Sequence, residues 1–405
     1  MKIYQGEPLN ILHTIGMKTR YPIIRIHFKI TGILDLNQFK MSVMLLKTVI
    51  PELFCKYRLS DNSFIPVTDN ADDIIFQDIN PDQGCSNWDL FKDPQWRIYL
   101  NRINNGYDVT IFLSHILTDG AGAKQLLALL SKAYNTSHLN GIHNHNDIRW
   151  LKDLLKEHSV KVDKTVDHPA HPLTLPKLVR ETRQQRRTGK VTLSHSFTES
   201  LISASHHQGV TLNDLFMAAF GTSVQRYDKN NHIALTCPAD MRKFIQGPTK
   251  WRIANHTSRY NINVKVSSKQ PFKETVQVVH QAMATNKRNF QCLASIKTLV
   301  DHYEKGTLKQ LQQAAEDNYH VRPISYTNFG IIDDKKFKFN NCTINDFDMV
   351  GCYRPMPMFQ SAVSTFKGQI ILAYAMIGTL EEERLGHAVT CTMADLLKNY
   401  ALKYV

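Results

Sequence analysis

The chain has 405 residues, of which 42% are hydrophobic and 21% are charged, as in a folded globular protein of two domains. Its first twenty residues lack the apolar core of a signal peptide, and no later run approaches the length of a membrane span, so we expect a cytoplasmic protein. Seven scattered cysteines without a Cys-x-x-Cys pair exclude a disulfide framework or a zinc finger. The loop His138–His145 lacks acidic or thiolate partners, so no metal site is expected there.

The net charge of +13 leaves nucleic acid, a membrane surface and anionic small molecules open as partners. The densest basic cluster runs from Lys177 to Lys190. It is either a solvated linker or helix face, or a patch that attracts coenzyme A phosphates or an acidic carrier protein. No aromatic residue interleaves with these basic residues and no helix-turn-helix pattern occurs, so a nucleic-acid partner is not expected.

The first half of the chain predicts mixed strands and helices. Tyr21–Ile30 has the pattern of a strand, and Leu36–Ile50 that of an amphipathic helix that begins near Asp35 and is closed by Pro51. Trp96–Ile103 and Tyr107–Ser114 are β-prone segments on either side of Asn104-Asn105-Gly106, a good hairpin turn. From Gly122 onwards, leucines at helical spacing predict a helix with an apolar face.

Residues 137–188 lose this periodicity and mark the boundary between two predicted domains, 1–175 and 176–405. In the second half we predict strands and helices in the order Lys190–Phe197, a helix from Leu212, His232–Cys237, Tyr260–Val266, Gln369–Met376 and a closing helix Glu383–Tyr400 after the capping-box pattern Thr379–Glu382. Mixed elements in both halves predict an α/β protein built from two α/β sandwiches.

The segment from Leu113 to Gly122 carries the candidate chemistry, because it places a His-x-x-x-Asp-Gly sequence where a strand gives way to a helix. Gly120 and Gly122 are expected to let the backbone turn sharply there. Such a turn can hold His115 at the lip of a cleft as a general base, although a histidine at a strand end can also be purely structural. Asp119 is expected to support the architecture of the loop rather than to relay protons.

His115-x-x-x-Asp119-Gly120 resembles the active-site motif of the superfamily that contains chloramphenicol acetyltransferase, plant BAHD acyltransferases, alcohol acetyltransferases and peptide-synthetase condensation domains. Three further segments resemble that superfamily and follow in the same order. Thr211–Ala219 resembles a helix that begins with a Thr-x-x-Asp cap, and Pro238–Phe244 is followed by Asn255–Asn263 in place of an asparagine-rich strand. Ser325–Gly330 is similar to a loop late in these proteins. The resemblance thus reaches across most of the chain. It is strongest to single-domain proteins similar to bacterial alcohol acetyltransferases.

The resemblance implies two chloramphenicol acetyltransferase-like subdomains with an active-site tunnel between them. It also implies that His115 acts as the general base, without an acyl-enzyme, and that Asp119 pairs with Arg242 from the second subdomain. Arg242 is otherwise interpreted as a surface cation after a strand. The late segment suggests Thr327 or Asn328 as the oxyanion or substrate-binding donor, although Asn-Phe-Gly is also an ordinary turn sequence. No permanently bound cofactor is implied, and acyl-CoA is the expected co-substrate.

One position departs from the pattern of condensation domains, which carry two adjacent histidines: Ser114 occupies the first. The departure favours ester formation, and thus an O-acyltransferase that moves an acyl group from acyl-CoA to a small-molecule alcohol. Two alternatives stay open. The first is condensation-type amide or ester formation with a carrier protein as partner, and the second is a degenerate family member that binds without catalysis.

Overall fold

Two large β-sheets and the helices packed on them form the protein. The computed structural model describes residues 2–17, 19–158, 160, 168–178, 184–247, 250–267, 269–303, 306–318 and 322–404. The prediction of an α/β protein with two acetyltransferase-like subdomains is confirmed.

Fifteen strands lie in the described parts of the chain: β1 Tyr4–Gln5, β2 Ile23–Gly32, β3 Cys55–Arg58, β4 Ser63–Pro66, β5 Ile75–Gln77, β6 Trp96–Ile103, β7 Gly106–Ser114, β8 Gln185–Thr192, β9 His232–Asp240, β10 Thr257–Lys265, β11 Ile324–Ile332, β12 Cys342–Val350, β13 Arg354–Pro355, β14 Phe359–Phe366 and β15 Gln369–Gly378.

Eleven α-helices lie in the same described ranges: α1 Pro8–Leu12, α2 Leu36–Leu46, α3 Pro81–Ser86, α4 Gly120–Thr136, α5 Arg149–Glu157, α6 His195–His207, α7 Leu212–Gln225, α8 Phe272–Arg288, α9 Gln291–His302, α10 Leu308–Asn318 and α11 Leu380–Tyr404. Short 3-10 helices cover Pro51–Phe54, Ala71–Asp73 and Met241–Phe244.

The first large sheet has the strand order β12-β2-β7-β6-β5. Its centre is the predicted hairpin, in which β6 pairs antiparallel with β7 and Gly106 takes a left-handed backbone conformation with φ of 137°. Helices α2 and α4 pack against each other beside it, and the core includes fully buried Phe28, Trp96 and Phe112. This packing fixes the end of β7, where His115 follows directly.

The second large sheet has the order β11-β14-β15-β13, with β8 also paired to β15. The antiparallel pair β9–β10 forms a separate two-stranded sheet close to β11. Helices α7 and α11 contact each other and enclose a second core around Phe220, Phe359 and Leu397. Strand β12 pairs antiparallel with β2 of the first sheet, so late residues complete the first core. The predicted domain boundary at 175/176 stays a prediction.

Several predicted elements have different bounds in the structure. Helix α2 ends at Leu46, before Ile50, whose backbone is forced out of the helical region by the following Pro51. The strand predicted at Lys190–Phe197 is β8, Gln185–Thr192. It ends before Phe197 because Ser194 begins α6, its side chain accepting a hydrogen bond from the backbone amide of Phe197. The predicted boundary region 137–188 thus contains helix α5 and the start of β8.

Side-chain caps mark the starts of two predicted helices. The Thr211–Asp214 capping box begins α7 at the predicted Leu212. Thr379 and Glu382 cap each other's backbone amides, so α11 begins at Leu380 rather than at the predicted Glu383, and it ends at Tyr404 rather than at Tyr400. By contrast, Ser325–Gly330, expected to be a loop, lies inside β11. The Asn-Phe-Gly sequence forms a bulge in its pairing with β14, and Gly330 has a φ of 68° there.

Candidate active site

A cavity of about 310 Å³ lies between the two large sheets, and His115 is part of its wall. Residues of the first sheet, of β9 and β10, and of β11 line it together, among them Ile24, Pro238 and Thr327. The backbone amide of His115 donates to the carbonyl oxygen of Pro22 at 2.7 Å, which fixes the residue at the end of β7. The imidazole is thus presented to the cavity from the end of the central strand of the first sheet.

Asn255 holds the loop that carries His115. Its side-chain amide nitrogen donates to the carbonyl oxygens of His115 at 2.9 Å and of Ile116 at 2.6 Å. Both His115 Nδ1 and Asn255 Oδ1 are buried. Because Nδ1 is buried, Nε2 is the nitrogen left for a substrate.

The charge state of His115 follows from its surroundings. Burial lowers the pKa of its imidazole below the usual 6.5, against the opposing influence of the Asp119 carboxylate and the Asn255 side chain. The ring is therefore neutral at neutral pH. A neutral imidazole that faces a cavity can accept a proton from a hydroxyl group, which is what a general base must do.

Asp119 is 1% exposed and serves as the N-cap of α4. Its Oδ1 accepts from the backbone amide of Gly122 at 2.8 Å, and its Oδ2 accepts from the amide of His256 at 2.7 Å and the hydroxyl of Thr257 at 2.8 Å. Burial alone would raise the pKa of this carboxyl, but Arg242 and these donors hold it well below its usual value. The carboxylate is fully occupied by the protein and faces α4 and β10.

Arg242 follows β9 and reaches across to Asp119, 123 residues earlier in the chain. Its two terminal nitrogens each donate to a different Asp119 oxygen at 3.0 Å, a two-pronged ion pair between the halves of the chain. The guanidinium also donates to the carbonyl oxygens of Arg252 and Ala254 at 3.0 and 2.7 Å, and to the carboxylate of Asp240 at 2.8 Å. The structure thus brings together Asp119 and Arg242 as the resemblance implied.

Gly120 and Gly122 have a different role from the predicted one, because neither has a left-handed backbone. A Cβ atom on Gly120 would lie 2.5 Å from Cδ1 of Phe329, and one on Gly122 would lie 2.0 Å from Oγ1 of Thr118. Both glycines are needed for close packing. Gly120 in particular lets the Phe329 ring of β11 approach the start of α4.

Strand β11 forms one wall of the cavity and carries the two predicted donors. Thr327 lines the cavity and is 9% exposed. Asn328 also lines it, but its side chain donates to Asn213 at 3.1 Å and accepts from the amide of Gly330 at 2.8 Å. Of the two residues, Thr327 is therefore the better placed to serve a substrate.

Sequence reasoning missed three contributors: the backbone contact of Asn255, the Thr257 hydroxyl that bonds Asp119, and His13. The ring of His13 stacks on that of His115 with 3.8 Å between the ring centroids. Asn255 and Thr257 lie in or beside the asparagine-rich stretch noted in the sequence, so that stretch was the available signal. Nothing in the sequence linked His13 to His115.

The basic cluster Lys177–Lys190 is partly engaged within the protein. Arg187 pairs with Glu383, and Lys190 contacts Asp348 at 3.0 Å. Arg180 and Arg183 lie outside the described residues.

The described parts of the chain contain no group of three His, Cys, Asp or Glu side chains that could hold a metal ion. In the same parts, no helix has the length and apolar composition required to cross a membrane.

A family model described as Condensation domain matches residues 67–313, more than half of the chain. Polyketide synthase associated protein 5 from Mycobacterium tuberculosis has a similar structure, with a TM-score of 0.69 and 14% sequence identity over 98% of both chains. The TRI3 trichothecene 15-O-acetyltransferase from Fusarium sporotrichioides gives a TM-score of 0.71 at 11% identity, covering 98% of this chain and 95% of that one.

The epimerization domain from the third module of tyrocidine synthetase B is also similar, with a TM-score of 0.67 at 15% identity, covering 99% of this chain and 96% of that one. Comparison with curated proteins by sequence gives no match. At these identities the structural likeness establishes the fold alone. The family model covers residues 67–313, which include both His115 and Arg242.

Proposed function

Since the chain belongs to the condensation-domain family, we propose that it is an O-acyltransferase that moves an acyl group from acyl-CoA to an alcohol. The observation that carries the proposal is the difference between His115 and Asp119. His115 is neutral and lines the cavity. The Asp119 carboxylate instead accepts hydrogen bonds from Arg242 and from the backbone amide of His256. The site therefore offers one base and needs no protein nucleophile.

In the proposed reaction, Nε2 of His115 removes the proton from the acceptor hydroxyl while the hydroxyl oxygen attacks the thioester carbonyl carbon. The tetrahedral intermediate then collapses, the carbon–sulfur bond breaks, and the thiolate takes the proton back from the imidazolium. Thr327 is proposed as the donor to the oxyanion, because it lines the same cavity and the Asn328 side chain is already engaged. The cavity walls bring donor and acceptor together at one imidazole.

A second function is supported by the family match itself: transfer between substrates bound to a carrier protein. Chemistry at His115 would be the same, and the two functions differ in the donor. Ser114 occupies the position of the first histidine of condensation domains, and its hydroxyl side chain is fully buried. This position favours the free-standing O-acyltransferase.

The donor can be tested directly. The purified protein is given acyl-CoA of increasing chain length together with a panel of alcohols and amines, and free thiol is measured alongside ester and amide formed. We expect thiol release in proportion to ester. Transfer only from an acyl-carrier-protein thioester, with every acyl-CoA inert, would instead support the second function. No transfer from either donor would support a degenerate, binding-only member of the family.

A further inference from the structure

A second imidazole covers the face of the proposed base. The rings of His13 and His115 are stacked with their planes inclined by 15° and their centroids 3.8 Å apart. His13 ends helix α1 and also lines the cavity. It lies outside residues 67–313, so the family match does not include it.

Helix α1 is fixed to the loop of His115 by a buried hydrogen bond. The side-chain amide of Asn10 donates to the carbonyl oxygen of Ile116 at 2.5 Å, and Asn255 donates to the same oxygen. Asn10 is 5% exposed, and its side-chain oxygen also accepts from the backbone amide of Glu7 at 2.6 Å. These bonds hold His13, three residues after Asn10, in a fixed position relative to His115.

The stacked pair carries no charge at neutral pH. Burial lowers the pKa of His13 well below the ordinary value, and a charge on His115 would lower it further. Asp119 opposes this shift and Arg20 adds to it, and the same two residues act on the pKa of His115 in the same directions. His13 is thus an uncharged aromatic ring stacked on the proposed base.

We propose that His13 is a positioning residue that fixes the ring of His115 by stacking and excludes water from one of its faces. The proposal rests on the proposed role of His115 as the base. Nδ1 of His115 is buried, and Asn255 holds the backbone of the same residue. The flat contact with His13 restrains the ring itself, and the aromatic ring of His13, rather than its nitrogen atoms, is what matters.

The test compares His13→Phe, which keeps a ring for stacking, with His13→Ala, which removes it. Thr14→Ala is the control for disturbance of this segment, since the Thr14 hydroxyl bonds the carbonyl oxygen of Ile11 within the same turn. Nitrogen NMR of the imidazoles gives the pKa and tautomer of His115 without any substrate. Steady-state kinetics of acyl transfer then give kcat and KM.

We expect His13→Ala to raise the pKa of His115 towards 6.5 and to lower kcat by about 10-fold with little change in KM, because a loosened base is in place less often. His13→Phe and Thr14→Ala should resemble the wild type. If His13→Ala fails to fold, His13→Gln takes its place as the non-aromatic variant. If the wild type transfers no acyl group, the proposed function fails, while the NMR titration still decides the role of His13.

Two outcomes would overturn the proposal. In the first, the non-aromatic variant leaves both the pKa of His115 and kcat unchanged, which would make His13 a passive wall residue. In the second, His13→Phe loses as much activity as His13→Ala. The nitrogen atoms of His13 would then be the important feature, and the stacking would not.

Discussion

Replacing Asp119 with Asn should destabilise the protein strongly, because the buried guanidinium of Arg242 loses its charged partner. Asp119 is 1% and Arg242 is 10% exposed at the side chain. Breaking a buried ion pair by removing one partner costs about 3–5 kcal/mol. The amide nitrogen of the introduced side chain would also face hydrogen-bond donors, since both Asp119 oxygens accept hydrogen bonds. Thermal unfolding should show a melting temperature lower by about 5 °C.

Asp240→Asn is the matched control for this experiment. Asp240 bonds the same guanidinium at 2.8 Å, but its side chain is 44% exposed, so this pair is worth about 1 kcal/mol or less. Acyl transfer by Asp119→Asn should fall together with its stability, because the loop of His115 is loosened. Equal melting temperatures for the two variants would refute the buried-pair argument. Lost activity at an unchanged melting temperature would show that Asp119 acts on the substrate.

Three further predictions concern Gly120, His256 and His115. Gly120→Ala should lower activity, because its Cβ would lie 2.5 Å from the Phe329 ring, and Phe329→Leu in the same chain should restore part of it; no loss of activity in Gly120→Ala would refute the packing role. Burial and the charge of Arg242 lower the pKa of His256 from 6.5 to about 4. Between these two values the unfolded chain binds a proton at His256 and the folded chain does not. The free energy of unfolding should therefore be unaffected by His256 above pH 6.5 and should fall by at most about 3 kcal/mol as the pH is lowered towards 4. Urea unfolding of wild type and His256→Gln between pH 7 and 4 measures this, and equal pH slopes would contradict it. Turnover should fall on the acidic side with an apparent pKa below 6.5, because burial depresses the pKa of His115; a limb above 6.5 would contradict the neutral, buried base.

The sequence predicted those parts of the fold that local chemistry specifies. The Asn-Gly turn of the β6–β7 hairpin and the capping boxes at Thr211 and Thr379 are short-range signals, and the structure has them where expected. The pairing of β12 with β2 was not predicted, because it joins residues more than 300 positions apart and depends on tertiary packing. For the same reason Ser325–Gly330 was interpreted as a loop, although its partner strand β14 makes it a strand.

The candidate site was predicted in part. The His-x-x-x-Asp-Gly spacing and the resemblance together led to His115, Asp119 and Arg242, which the structure places within one connected set of contacts. The purpose of Gly120 was misread, because the close approach of Phe329 is a tertiary contact that no local pattern records. His13 escaped notice for a similar reason, since stacking between residues 13 and 115 leaves no trace in the spacing of either segment.

The central claim is that His115 is the base of an acyl transfer, and replacing it with Ala tests this most directly. The variant and the wild type are compared for release of free thiol from acyl-CoA in the presence of an accepted alcohol, with melting temperatures measured in parallel. We expect a loss of about 100-fold or more in turnover, the contribution typical of a positioned general base, at a nearly unchanged melting temperature. Turnover near that of the wild type in a folded His115→Ala protein would contradict the assignment.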